Sequence, residues 1–286
     1  MTTTAIVTGS QIRIRLGAVV RHQVTLIARD PGPMLGYVIM GILLITVNRG
    51  LYAALGRLLP GVPPGGIDQA ASGMAVMFSL FALKVGAAHL LDERTWHTWD
   101  RLQATPARFG ELLAGKSLPI YGAIVIQQLI LFGYSAAAFG LRPAAGWWAL
   151  LGCGLIWSAC VLLLGSAAST LARSPAQLSA AGDVFAILTT VLGGALVPVA
   201  LLPSWLRPVA PVSPGYWAMR AYQTALTGQP GALARPLAVL GLFSAAGIII
   251  SVLVGARQTR HGRSAMRKGT PAPRRSPVAA EDATGS

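Results

Sequence analysis

Charge is scarce in this chain. Only 11% of its 286 residues are Asp, Glu, Lys or Arg, and 53% are hydrophobic, whereas a soluble domain carries about 25% charged residues. Lysine occurs only at 84, 116 and 268. Cysteine occurs only at 153 and 160, seven residues apart in one apolar run. Two thiols cannot build a zinc site of four cysteines, and the spacing puts both on one helical face as buried small hydrophobes. Histidine occurs only at 22, 89, 97 and 261, none deep in an apolar run. That weighs against the facing serine and histidine of an intramembrane protease and leaves an intramembrane enzyme the lesser alternative. Acids are few too, and the densest group, Asp92, Glu93 and Asp100, is interleaved with bases. A magnesium-dependent prenyl or phosphate transferase would need a cleaner carboxylate cluster. The start, MTTTAIVTGSQIRIRLGAVV, lacks the apolar core and small-residue cleavage site of a secretory signal. The first membrane span is expected to act as the insertion signal. No internal repeat is visible, which weighs against a secondary transporter, the main alternative among membrane functions.

What is present is apolar length. The mean hydropathy is +0.59. A spanning helix needs about 20 mainly apolar residues, and six stretches qualify: 33–53, 70–91, 118–140, 146–171, 177–197 and 236–256. The sequence therefore predicts an all-α membrane protein with a six-helix domain over 33–256. The first span is the weakest, because Asn48 and Arg49 interrupt it. Residues 11–29, QIRIRLGAVVRHQVTLIAR, mix apolar and basic positions. They read as an amphipathic helix on the membrane surface within a cytoplasmic segment 1–32, or as a solvated helix; DPGP at 30–33 ends it. The stretch 197–220 is apolar yet holds prolines at 198, 203, 208, 211 and 214. A lipid-facing span could not satisfy a backbone broken so often. Short re-entrant or interfacial helices before the last span are expected instead, anchored by Trp205, Tyr216 and Trp217. The tail 257–286 is basic and then rich in Pro and Ser, and disorder is expected there.

The net charge of +14 does not point to nucleic acid, because the bases sit at the two ends and in one loop. With these boundaries four Lys/Arg fall in the N-terminal segment, four in the 92–117 loop, one in the 172–176 turn and seven after 256. The opposite side holds six: Arg49, Arg57, Arg142, Arg207, Arg220 and Arg235. The excess of positive charge puts both termini in the cytoplasm. Lys84 and Asp183 interrupt spans two and five, each on the order of 10 Å from the inner boundary at about 1.5 Å rise per residue. Intramembrane charges are functional candidates. These two either pair across helices or face a pathway, or else Lys84 snorkels to the interface while Asp183 meets water.

One motif points elsewhere. GELLAGKS, Gly110 to Ser117, fits G-x-x-x-x-G-K-[ST], and AAHLLDE ends in Asp92 and Glu93 like a magnesium-holding strand. A P-loop needs a buried strand leading into its glycines and a helix N-terminus behind them. Here the lead-in is polar DRLQATPARF, a membrane span follows, and the acids come before the glycines on a different span. Nucleotide binding by this segment is rejected. The loop that contains it alternates four acids with four bases, and Trp96 and Trp99 share a helical face. It reads as a docking surface for a protein partner, with headgroup anchoring as the other role for the two tryptophans.

Two segments carry a family resemblance. In the loop stand ER at 93–94, RL at 101–102, ATP-x-R at 104–108 and GK at 115–116; before the last span stands GGALVPVALLPSWLRPVAPVSPGYWAMRA, Gly193 to Ala221. Together they resemble the permease subunit of type-2 ABC exporters, in the daunorubicin-resistance-like branch. The resemblance implies a non-catalytic, multi-pass subunit of the bacterial plasma membrane with no cofactor of its own. ATP and magnesium would be bound by two copies of a separate cytoplasmic ATPase. A second permease subunit, identical or homologous, would complete the pathway, and the export substrate would be a drug, an antibiotic or natural product, or a lipid-like molecule. It also implies that a coupling loop, with Glu93, Arg94, Trp96, Trp99, Arg101, Leu102, Pro106 and Arg108, docks into the ATPase. Pro198, Pro203, Trp205, Pro214 and Trp217 would belong to an outer gate.

Overall fold

The computed structural model describes residues 31–58, 66–95, 109–172, 174–228 and 230–268, with scattered helical residues between Gly17 and Arg29. The side chains of 83–95, 109–116, 255–268, Pro175 and Pro230 lie outside that description. From Pro31 onward the described residues form α1 (Gly32–Leu58), α2 (Gly66–Thr95), α3 (Phe109–Phe139), α4 (Trp147–Leu171), α5 (Pro175–Leu192), α6 (Pro214–Thr227) and α7 (Ala234–Lys268), with no strand among them. Short 3-10 turns stand at Val199–Leu201 and Ala210–Val212, between α5 and α6, and at Pro230–Ala232 before α7.

Four helices are long and apolar enough to cross a membrane: α1, Ser117–Phe139 of α3, α4, and Ala234–Val254 of α7. Ala176–Leu192 of α5 is a shorter apolar helix. The outward surface of these elements is aliphatic. Ile39, Leu43 and Val47 on α1, Val184, Ile187 and Leu188 on α5, and Ile249, Val252 and Leu253 on α7 are all exposed. Exposed apolar faces on several helices of one bundle are what lipid, not water, would cover. The chain is a multi-pass membrane protein.

The hydropathy of α2 is lower because its residues are small and polar, and its position explains why. It packs against α1, α3, α4, α5 and α6. Every residue from Gln69 to Val76 is buried. Ala70, Met74 and Phe78 pack with Ile45, Tyr52 and Leu131 on one side; Ala71, Ala75, Val76 and Leu80 pack with Ile124, Trp157, Tyr222 and others on the opposite side. Without a hydrophobic drive between helices in lipid, close approach of small residues supplies the contact. Gly73 shows the limit: a Cβ there would lie 2.1 Å from the Ala195 carbonyl oxygen.

Helix boundaries follow local chemistry. The Ser174 hydroxyl accepts a bond from Gln177 N–H at 3.2 Å, with proline next at the first helical position of α5. α6 ends at Gly228, whose φ of 80° is left-handed and costs glycine little. Two boundaries differ from expectation. α2 runs to Thr95 and α3 begins at Phe109, so both ends of the stretch 92–117, expected as a loop, are helical, and residues 96–108 lie outside the described residues. Pro119 lies inside α3. The helix loses only the N–H bond to Gly115 there and continues. α7 extends to Lys268, past residue 257, where disorder was expected; Ala, Arg, Gln and Lys in this stretch are good helix formers.

Successive long helices alternate in direction, so one end of the bundle gathers the C-termini of α1, α3 and α5 with the N-termini of α2, α4 and α7. It is called the distal end below. The other, proximal, end gathers the C-termini of α2, α4 and α7 with the N-termini of α1, α3 and α5.

Candidate functional site

The distal end is built around the turn after α5. Gly193, Gly194 and Ala195 leave that helix through bonds to Thr189, Val191 and Thr190 carbonyls. Three other helices then grip the turn. Tyr52 of α1 donates its hydroxyl to the Leu196 carbonyl at 2.8 Å. Gln69 of α2 donates from Nε2 to the Gly194 carbonyl at 2.7 Å, and Gln223 of α6 donates to Gln69 Oε1 at 2.7 Å. Ser213, just before α6, donates to the Thr189 carbonyl at 3.3 Å. Gly215 comes so close that a Cβ would lie 2.5 Å from the same carbonyl oxygen. Buried amides in an apolar bundle are costly unless paired, and here each pairing ties a different helix to one turn.

The Pro-rich segment caps this end. It is folded into 3-10 turns rather than a span, the form expected for it. Arg207 holds it together, donating from Nε to the Leu202 carbonyl at 2.8 Å and from Nη2 to that of Ala200 at 2.7 Å. Trp217 donates from Nε1 to the Pro211 carbonyl at 2.8 Å. Pro198 precedes the first turn, and the Pro203 carbonyl accepts from Leu206 and Arg207. Pro214 is buried at the start of α6, while Trp205 is 71% exposed. The five residues assigned to an outer gate thus lie in or beside one cap.

A second polar group lies deeper. Gln128 of α3 donates to Ser158 Oγ of α4 at 2.7 Å, and Tyr222 of α6 donates its hydroxyl to Gln128 Oε1. A Cβ at Gly154 would sit 3.1 Å from that oxygen. Beside them, a cavity of about 100 Å³ opens between α3 and α4, lined by Val125, Leu129, Phe132, Trp147 and Leu155 among others. Trp157 donates to Ser79 Oγ at 2.6 Å. Gln127 is buried with neither amide atom hydrogen-bonded.

Sequence reasoning passed over these glutamines. The signal was there: Gln127 and Gln128 interrupt the apolar run LPIYGAIVIQQLILFGY, as conspicuously as Lys84 and Asp183 interrupt theirs. Lys84 lies on α2 and Asp183 on α5, helices that pack together, but the Lys84 side chain is outside the described residues. Glu93 and Arg94 fall in the last turn of α2, while Trp96, Trp99, Arg101, Leu102, Pro106 and Arg108 are outside the described residues. Gly110–Ser117 is helical from its first residue. A continuous helix bonds its N–H groups to its own carbonyls beyond the first turn, so this segment does not form a phosphate cradle. No group of three or more His, Cys, Asp or Glu able to hold a metal occurs among the described residues.

Among the described residues the chain is an all-helical bundle with apolar outward faces, a capped end and a polar joint, the build of a multi-pass membrane protein. Residues 14–227 match the family model described as ABC-2 type transporter. The chain belongs to that family. It is also similar to the linearmycin resistance permease protein LnrN of Bacillus subtilis (strain 168), 26% identical over 152 residues. That likeness covers 52% of this chain and 38% of LnrN, so the chain spans well under two thirds of the relative it matches.

Proposed function

We propose that the chain is the membrane-spanning subunit of an ATP-driven exporter, working with a separate cytoplasmic ATPase in two copies and with a second permease subunit. The observation that carries this reading is the match to the ABC-2 family over 14–227. In the full reading, α2 and α5 join the four longer apolar helices as spans, both termini are cytoplasmic, and the distal end faces outward. The Pro-rich cap is then the outer gate region. Residues 92–117 hold the coupling loop. No cofactor is bound by this chain, because ATP and magnesium belong to the partner.

The substrate class is a drug, an antibiotic or natural product, or a lipid-like molecule. In support, the relative's name speaks of resistance to linearmycin. Purification of the tagged full chain from its host's membranes, with mass spectrometry of what accompanies it, tests the reading. A soluble ATPase should co-purify and be lost when residues 93–108 are scrambled. Glu93→Ala or Arg101→Ala should leave ATP hydrolysis running without transport. Recovery of the intact chain alone, with ATP binding that depends on Lys116, would overturn the assignment.

A further inference from the structure

The distal end is strongly cationic. Arg49, Arg57, Arg142, Arg207, Arg220 and Arg235 all belong to it, against one acid, Asp68. The described contacts of these arginines are with neutral groups. Arg49 lies over the Phe139 ring, with Cζ 4.2 Å from its centroid. Arg207 is bonded to backbone carbonyls. Two guanidiniums flank one aromatic pair. Tyr216 and Trp217 stand edge to face with centroids 5.2 Å apart. Arg220 Cζ lies 5.4 Å from the Tyr216 centroid, and its Nε and Nη2 donate to that hydroxyl at 3.2 and 3.0 Å. Arg235 Cζ lies 5.5 Å from the Trp217 centroid.

Rings and carbonyls hold a guanidinium in place but do not neutralise it, and Arg220 and Arg235 are both exposed. A planar fork that is already oriented loses less entropy when it grips an oxyanion. Arg235 also stands in the first turn of α7 with no acid there. The helix dipole disfavours a cation at that position, and an anion would relieve it. The same cap exposes apolar surface: Trp205 and Val212 are each 71% exposed, with Val209 and Leu201 beside them. Cationic forks next to exposed apolar residues match an amphiphile better than a soluble ion.

We infer that Arg220 and Arg235, set by the Tyr216–Trp217 pair, bind the phosphate of an anionic phospholipid headgroup, with the apolar residues of the cap resting in the lipid around it. The bound lipid would hold the cap at the bilayer surface.

The test uses the full chain in mild detergent, offered equal amounts of phosphatidylglycerol and phosphatidylcholine. Retained lipid is counted by native mass spectrometry. Phosphatidylglycerol should be retained in preference, and the preference should fall about tenfold in Arg220→Gln/Arg235→Gln, the size expected for lost charge-assisted bonds. Arg57→Gln, an exposed arginine of the same end with no described ring partner, should keep it. Arg220→Lys/Arg235→Lys should keep part of it, since the charge stays but the fork is gone; this variant decides the matter if the glutamine pair unfolds. Equal retention of the two lipids by the wild type, or an unchanged preference in the paired variants, overturns the inference. Stabilisation by millimolar inorganic phosphate that needs both arginines, without any lipid preference, overturns the lipid assignment in favour of a soluble anion.

Discussion

Gly73→Ala is the sharpest perturbation of the distal joint. Its added methyl would stand 2.1 Å from the Ala195 carbonyl oxygen, and 3.0 Å from the Ala195 carbonyl carbon. Both are backbone atoms, so no side-chain rotation relieves the clash. An ordinary contact needs the turn to retreat by about 1 Å or more, the cost of overpacking being roughly 1–3 kcal/mol. That retreat pulls the Gly194 and Leu196 carbonyls from Gln69 and Tyr52, whose bonds are 2.7 and 2.8 Å long. Each lost bond costs about 1 kcal/mol, more if a buried group is left bare. The total, about 3–5 kcal/mol, corresponds to a fall in melting temperature on the order of 6–20 °C for a chain of this size. Thermal unfolding of the purified protein in one detergent measures it, with Gly152→Ala as the control. Gly152 has nothing within 4 Å of its added Cβ and should gain a few tenths to about 1 kcal/mol from helix propensity. Melting of Gly73→Ala within a degree or so of wild type would refute the claim that the turn is clamped.

Three further outcomes are expected. Tyr222→Phe strands Gln128 Oε1, because the phenol is its described donor, and should cost about 1–3 kcal/mol in unfolding; Gln128→Leu with Tyr222→Phe should recover part of that, and a double variant worse than the sum of the singles would contradict the pairing. Lys84→Asp with Asp183→Lys should restore transport lost in either single neutralisation if the two charges pair, and transport assays no better in the swap than in the singles would exclude the pair. Burial pushes the Asp68 carboxyl above its ordinary value, so the folded state binds its proton more tightly than the unfolded one. Stability from this group is then full below the unfolded value and lost as pH rises through the folded value. Melting curves should therefore show the wild type falling relative to Asp68→Asn as pH rises from acid to neutral.

Much of this architecture is legible in the sequence because lipid imposes a one-dimensional signal. α1, α3, α4 and α7 announce themselves by length and hydropathy, and five prolines between Val197 and Arg220 exclude a span. The misplaced GELLAGKS is legible too, since no strand precedes it. What is not legible depends on distant partners. Gln69 and Gly194 are 125 positions apart, and nothing local marks Gln69 as the residue that grips that turn. The role of Gly73 requires knowing that the Ala195 carbonyl, from the turn after α5, arrives beside it. The basic stretch after 257 reads as disordered by composition, while α7 is helical to Lys268. Gln127 and Gln128 were visible as polar interruptions of an apolar run, but charge drew attention to Lys84 and Asp183 instead.

The clamp on the Gly193–Leu196 turn has a mechanical consequence. Four helices share one fixed joint, so they behave as levers pinned at the same end. α2 has 30 residues, about 45 Å of helix at about 1.5 Å per residue. Pinned at Gln69, about 39 Å from its far end, a tilt of about 5° swings that end sideways by roughly 3 Å, more than the small shifts of about 1–2 Å by which packed helices move at interfaces. A small angular change at the joint is thereby enlarged at the proximal end, and the reverse holds for a push applied there. The glutamine pair and its turn thus set the gearing of the bundle.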